Sequence, residues 1–291
     1  MENIVKIENK KYPELLRKIG KEAPKKLYYK GNWNMDIFEN CLAVVGSRHL
    51  TSYGRKITEQ FITEIAAAGI TIVSGFMYGG DEAAHKATVE AGGRTIAVMP
   101  CGIDMIHPEY QEELYNKILE NKGLIISEYE GNFPPANWTY PKRNRIVAGL
   151  SKAVLVVEAG LNSGTLITTD CAGKFGRKIF AVPGPITSEV SRGTAKLIKE
   201  GAEVVTSVKD ILDFYKIIPS KKSVENSSQL AGRGLKNDLE KRIVEQLQKE
   251  PLEVNNLARL FNMPVSKIGT TLSLMQLKGF INQEAGKYYV D

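Results

Sequence analysis

The chain predicts an α/β protein: a parallel sheet covered by helices on both faces, followed by a small winged-helix domain. Three observations carry this expectation. From residue 41 onward, apolar runs of five to eight residues alternate with helical stretches, the pattern of a parallel sheet buried on both faces. Nearly every run ends in Gly, Ser or Pro, which leaves room for a ligand outside the carboxyl ends of the strands. The alternation stops near Tyr215, and a helical section closed by a hairpin pattern follows later in the chain.

Taken in order, residues 1–40 are polar, with a short amphipathic pattern over 12–19, and read as a lead-in packed on the main domain. The main domain covers 41–215. Its strands are expected at 42–46, 70–75, 94–100, 123–128, 152–159 and 178–184, with helices near 54–68, 81–91, 109–120, 142–149, 164–175 and 193–200. Residues 216–234, rich in Ser, Gly and Lys, read as a linker. Residues 235–291 read as helices over 238–248, 253–260 and 265–277, with a turn at Asn262 and Pro264 and two short strands around 284–286. Leu239, Ile243, Val244, Leu247, Leu257, Leu260, Ile268, Leu272, Met275 and Leu277 are its expected core.

Composition narrows the class. With 291 residues, 43% hydrophobic and 25% charged, the chain suits one large or two modest globular domains. A net charge of +6 leans toward polyanions, though charge alone is weak evidence. No apolar signal region opens the chain and no apolar run approaches a membrane span, so a cytoplasmic protein without a membrane span is expected. Cys41, Cys101 and Cys171 form no CxxC pair and read as reduced thiols packed as small hydrophobes. His49, His85 and His107 show no metal spacing, so no metal is expected.

The chemistry concentrates in residues 140–151, YPKRNRIVAGLS. Lys142, Arg143 and Arg145 stand together with Asn144, although helix starts favour acids over bases. A solvated helix start is the plain reading. An anion held at the mouth of the sheet is the sharper one, since arginine offers a planar fork for phosphate oxygens. The first strand ends in Gly46-Ser47-Arg48, and Arg48 is either a phosphate ligand or a surface arginine paired with an acid. GxGxxG is missing there, so no dinucleotide cofactor is expected. After Ser74-Gly75 comes Phe76-Met77-Tyr78-Gly79-Gly80-Asp81, whose aromatics either stack bases or belong to the core. Ser, Asp81 and His85 in one region also suit hydrolysis, but the strained GxSxG elbow is lacking. Ser163-Gly164-Thr165 open a helix behind a strand, where hydroxyls, backbone donors and the helix dipole favour an anion. Trp138 and Tyr140 make the preceding loop aromatic. That fits single-stranded nucleic acid, or a loop pinned to the core.

Together these motifs resemble the DNA-processing protein A family (DprA, or Smf). The resemblance runs through Val44–Arg48 with Tyr53-Gly54, Ser74–Asp81 with Ala84-His85, Gly92–Val98, Arg143–Ser151, Ser163–Thr168 and Phe180–Gly184. It implies an extended Rossmann-like domain that binds single-stranded DNA, dimerises, and delivers the strand to the RecA recombinase during natural transformation. It implies DNA-binding roles for Arg48, Ser74, Gly75, Arg143, Asn144, Arg145, Ser163, Gly164 and Thr165, with Lys142 a neighbour. Phe76-Met77 and Gly80 depart from the family's usual residues. Residues 235–291 resemble the winged helix of many members, but carry eight Lys and Arg against seven Asp and Glu, a balance of +1. That is poor for duplex binding. The alternative is a nucleotide N-glycosidase of the LOG type, where Thr168 stands in place of the catalytic glutamate.

Overall fold

The computed structural model describes residues 3–218, 238–247, 249–277, 280–284 and 286–290. The chain forms two compact units, divided after Ser227. The linker expected over 216–234 falls almost wholly outside the described residues.

The first unit is built on a nine-stranded sheet of order β1-β2-β6-β5-β4-β3-β7-β8-β9. In chain order its elements are β1 (Ile4–Lys6), α1 (Glu14–Arg17), β2 (Lys26–Gly31), β3 (Cys41–Val45), α2 (Ser52–Ala67), β4 (Thr71–Ser74), α3 (Gly80–Glu90), β5 (Thr95–Gly102), α4 (Glu112–Glu120), β6 (Leu124–Tyr129), α5 (Thr139–Leu150), β7 (Ala153–Val156), α6 (Gly164–Lys174), β8 (Lys178–Ala181), α7 (Arg192–Lys199), β9 (Glu203–Val204) and α8 (Val208–Tyr215). The strands from β6 to β9 in that order pair in parallel, whereas β2 joins β6, and β1 joins β2, antiparallel. Strands β4, β5 and β6 lie on one side of β3, and β7, β8 and β9 on the other. The order in which strands are added therefore reverses between β3 and β7, the place where open sheets of this kind take ligands.

Pleating explains the apolar runs. Ala43 and Val45 of β3 face a core shared with α1, α5, α6 and α7, while Leu42 and Val44 face the core under α2, α3 and α8. A third cluster packs α3 and α4 on β5 and β6. The lead-in is more than a packed segment, because it supplies two strands of the sheet. Arg177 fastens α1 by donating from Nη2 to the carbonyls of Leu15 (2.8 Å) and Gly149 (3.2 Å).

The second unit contains α9 (Asp238–Leu247), β10 (Leu252–Glu253), α10 (Val254–Leu260), α11 (Val265–Leu277), β11 (Asn282–Glu284) and β12 (Lys287–Tyr289). Its sheet has the order β10-β12-β11, so a hairpin and a short third strand close the helices. Ile243, Leu247, Leu257, Ile268, Leu272 and Met275 form its core, as the sequence predicts. Leu260 and Leu277 do not: they are 54% and 86% exposed. Ile268, Leu272 and Met275 share one stripe of α11, and Leu277 lies about 200° around the helix from Met275. Among the described residues no helix is long and apolar enough to cross a membrane, and no metal-ligating cluster occurs.

One buried group makes stability depend on pH. His85 of α3 is fully buried, with Nδ1 2.7 Å from Thr95 Oγ1. Thr95 gives its own hydrogen to the Ile72 carbonyl (2.8 Å), so the imidazole donates from Nδ1 and leaves Nε2 unprotonated and without a partner among the described residues. Burial, and then the charge of Arg143, push its pKa down to about 3. A depressed histidine contributes stability above its unfolded pKa and loses it as pH falls toward the folded value. Going from pH 7 to pH 4.5 is expected to remove about 2–3 kcal/mol through this group. Urea unfolding at the two pH values should therefore show a smaller difference in His85→Gln than in the parent protein, and equal differences would contradict the assignment.

Candidate functional site

An open pocket of about 940 Å³ lies over the carboxyl ends of β3, β4 and β7, where the strand order reverses. Two loops meet tightly to form its wall. Gly79, the N-cap of α3, has φ of 82°, and a Cβ there would run into the Ser47 and Arg48 backbone. The Gly80 N–H then donates to the Ser47 carbonyl at 3.0 Å. Glu158, just past β7, secures the same loop from the other side. It is buried. Its carbonyl accepts from Ser47 N–H (2.7 Å), and its carboxylate accepts from the Thr51 N–H (2.9 Å) and hydroxyl (2.5 Å).

Arg48 projects from this clamped loop. It is exposed, lines the pocket, and lies over the rings of Tyr78 and Tyr140, 5.5 and 5.7 Å from their centroids. Among the described residues it forms no ion pair, so the reading as an acid-paired surface arginine does not hold. Stacking on aromatic faces orients a guanidinium while its N–H groups remain available. Tyr140 is itself fixed by its hydroxyl, 2.8 Å from Nε2 of His107. Burial keeps the pKa of His107 below its usual value and raises that of Tyr140.

The cations of α5 separate around the helix. Arg143 is 4% exposed and turns inward, donating from Nη1 to the carbonyls of Gly75 and Val98. A Cβ on Gly75 would collide with this guanidinium. Lys142 and Arg145, three residues apart, both reach Glu128, at 3.7 and 2.7 Å. Asn144 points toward α6, donating to the Gly164 carbonyl at 3.3 Å. Asp81 is the one carboxylate among the described lining residues. It accepts from the Met77 N–H (3.3 Å), and burial raises its pKa against the pull of Arg143.

The start of α6 closes the pocket. Ser163 Oγ caps the helix by accepting from the Thr165 N–H (3.2 Å), and the Thr165 hydroxyl donates to the Gly46 carbonyl (3.1 Å). No acid occupies the first turn, so the positive end of the helix dipole is uncompensated there.

The structure thus brings Arg48, Gly75, Arg143, Asn144, Ser163, Gly164 and Thr165 to one pocket. Ser74, Lys142 and Arg145 are not among the lining residues. Ser74 is buried, with its hydroxyl donating to the Val44 carbonyl at 2.6 Å. Of the cations expected to hold DNA, Arg143 directs its Nη1 hydrogen bonds to main-chain carbonyls and Arg145 pairs with Glu128. Phe76 and Met77 are core. Thr168, at the position where a LOG-type motif carries glutamate, lines the pocket and is buried. Sequence reasoning missed His107 and Glu158. The signal for Glu158 was an acid ending an otherwise apolar run.

Removing Arg143 strands two buried carbonyls. Arg143→Ala is expected to cost about 2–4 kcal/mol of folding stability, while Arg48→Ala changes it by less than about 0.5 kcal/mol. Urea titration of both variants checks this, and equal stabilities would contradict the structural role given to Arg143.

The family model described as DNA recombination-mediator protein A matches residues 3–216, and that described as DprA winged helix domain matches residues 230–287. Protein Smf of Escherichia coli is 39% identical over 254 residues, covering 85% of this chain and 67% of that protein. DNA processing protein DprA of Streptococcus pneumoniae is 43% identical over 191 residues, covering 66% of this chain and 67% of that one. Its crystal structure superposes with a TM-score of 0.68 at 40% identity, over 73% of this chain and 74% of that chain. The structure of DNA processing protein A from Helicobacter pylori, described for its single-stranded DNA binding mode, gives 0.65 at 30% identity, over 74% and 98%. Because one family model spans the whole nine-stranded sheet and the pocket at its carboxyl edge, the chain belongs to the DNA recombination-mediator protein A family.

Proposed function

We propose that this pocket binds single-stranded DNA, and that the chain is a DNA-processing protein that protects an incoming strand and passes it to the RecA recombinase in natural transformation. The observation that carries this reading is Arg48, clamped in its loop and laid over two tyrosines beside the uncompensated start of α6. The guanidinium and the helix N-terminus line the same pocket and both favour a phosphate, and the tyrosines offer faces to bases. A duplex hides those base faces, which favours a single strand. Family membership and the description of the Helicobacter pylori relative support the same reading. Binding, with no chemical step, is the activity proposed.

The recombinase and a homodimer are proposed as partners from the family resemblance, and RecA as a partner implies a cytoplasmic location. In the second unit, α11 carries Lys267 within a section of charge +1, which favours a protein contact there over duplex binding.

Two measurements test these statements. Arg48→Ala should weaken oligothymidylate binding and reduce the slope of log affinity against log salt by about 0.7 for each phosphate that is no longer neutralised. An unchanged slope would remove Arg48 from the site. Sedimentation should give twice the 32.2 kDa chain mass, and the protein should speed RecA filament formation on single strands; a monomer without effect on RecA would refute the partner assignments.

A further inference from the structure

Beside the pocket, Tyr129, Phe133 and Trp138 form a ring cluster that the reading above does not use. Tyr129 and Phe133 stack with centroids 4.7 Å apart and planes 14° apart. Trp138 meets both edge-on, at 5.9 and 6.2 Å. Lys142 Nζ lies 5.5 Å from the Trp138 centroid and 5.6 Å from that of Tyr129. The indole is nonetheless 52% exposed. We propose that this cluster is a second stacking platform, which takes a base of the bound strand just outside the pocket.

Position argues for a base of that same strand. Asn137 and Tyr140, on either side of Trp138, both line the pocket, as does Pro141 immediately before Lys142. A strand leaving the pocket past Asn137 comes beside Trp138, the next residue in the chain. The turn is held rigidly: buried Thr139 donates from Oγ1 to the Ala136 carbonyl (2.8 Å) and accepts from its N–H (3.1 Å). Trp138 is thus braced by rings and backbone while much of its surface stays in water, the form of a stacking platform. Charge agrees. Lys142 and Arg145 share the single carboxylate of Glu128, leaving one positive charge beside the rings for a phosphate.

This inference rests on the pocket holding single-stranded DNA, and the test separates the two. Two oligothymidylates are compared, one just long enough to fill the pocket and one reaching several nucleotides beyond it. Trp138→Ala should bind the longer strand about tenfold more weakly and the shorter one as the parent does, with Trp138→Phe recovering most of the loss. In Trp33→Phe, where Trp138 is the remaining tryptophan, the longer strand should quench indole emission and the shorter should not. If Trp138→Ala binds both lengths normally, or loses equally on both, while Arg48→Ala weakens both, the platform is overturned and the pocket reading stands. If Arg48→Ala leaves both lengths unaffected, the pocket reading fails and the platform falls with it.

Discussion

Arg143 donates to two main-chain carbonyls, those of Gly75 just past β4 and of Val98 within the adjacent β5, and so ties α5 to the sheet where the pocket opens. A guanidinium removed from water needs replacement dipoles, and the two carbonyls supply them. The arrangement dictates its surroundings. Glycine at position 75 leaves room for the guanidinium, which any Cβ there would displace. The residues around Arg143 follow the phase that this contact sets, Lys142 and Arg145 toward Glu128 and Asn144 toward α6. A cation at the floor also raises the potential over the pocket although its Nη1 donors are spent on the main chain.

Above that floor, pre-organisation comes from backbone interlocking more than from side chains. The β3 loop is caught between Gly79-Gly80 and Glu158, and the Thr165 hydroxyl ties α6 to the end of β3. Three helix starts therefore hold fixed mutual positions, and Arg48 leaves a rigid base. Charge at this edge is mainly positive or spent internally, which suits a polyanion held by several weak contacts along its length.

Most of the main sheet was legible in the sequence, because strands buried on both faces must be continuous apolar runs. The lead-in strands were not. In β2, Lys26, Lys30 and Gly31 surround Leu27 and Tyr28, and the segment becomes a strand through pairing with β6, a contact remote in sequence. At the site, Arg48 and the Ser163–Thr165 turn were legible because strand ends and helix starts mark a ligand edge. The division of labour within α5 was missed although its phase was present: Arg143 precedes Ile146 by three residues and Val147 by four, so it shares their buried face. Adjacency in sequence made three cations read as one patch, whereas successive helical residues diverge by about 100°.

The ends of the sheet have a consequence of their own. Its outer strands are β1, with three residues, and β9, with two. A strand that short exposes very few unpaired amide and carbonyl groups, too few to template another chain. Copies crowded together can thus approach edge to edge without fusing into a continuous ribbon, a safeguard against aggregation built into the length of two small segments.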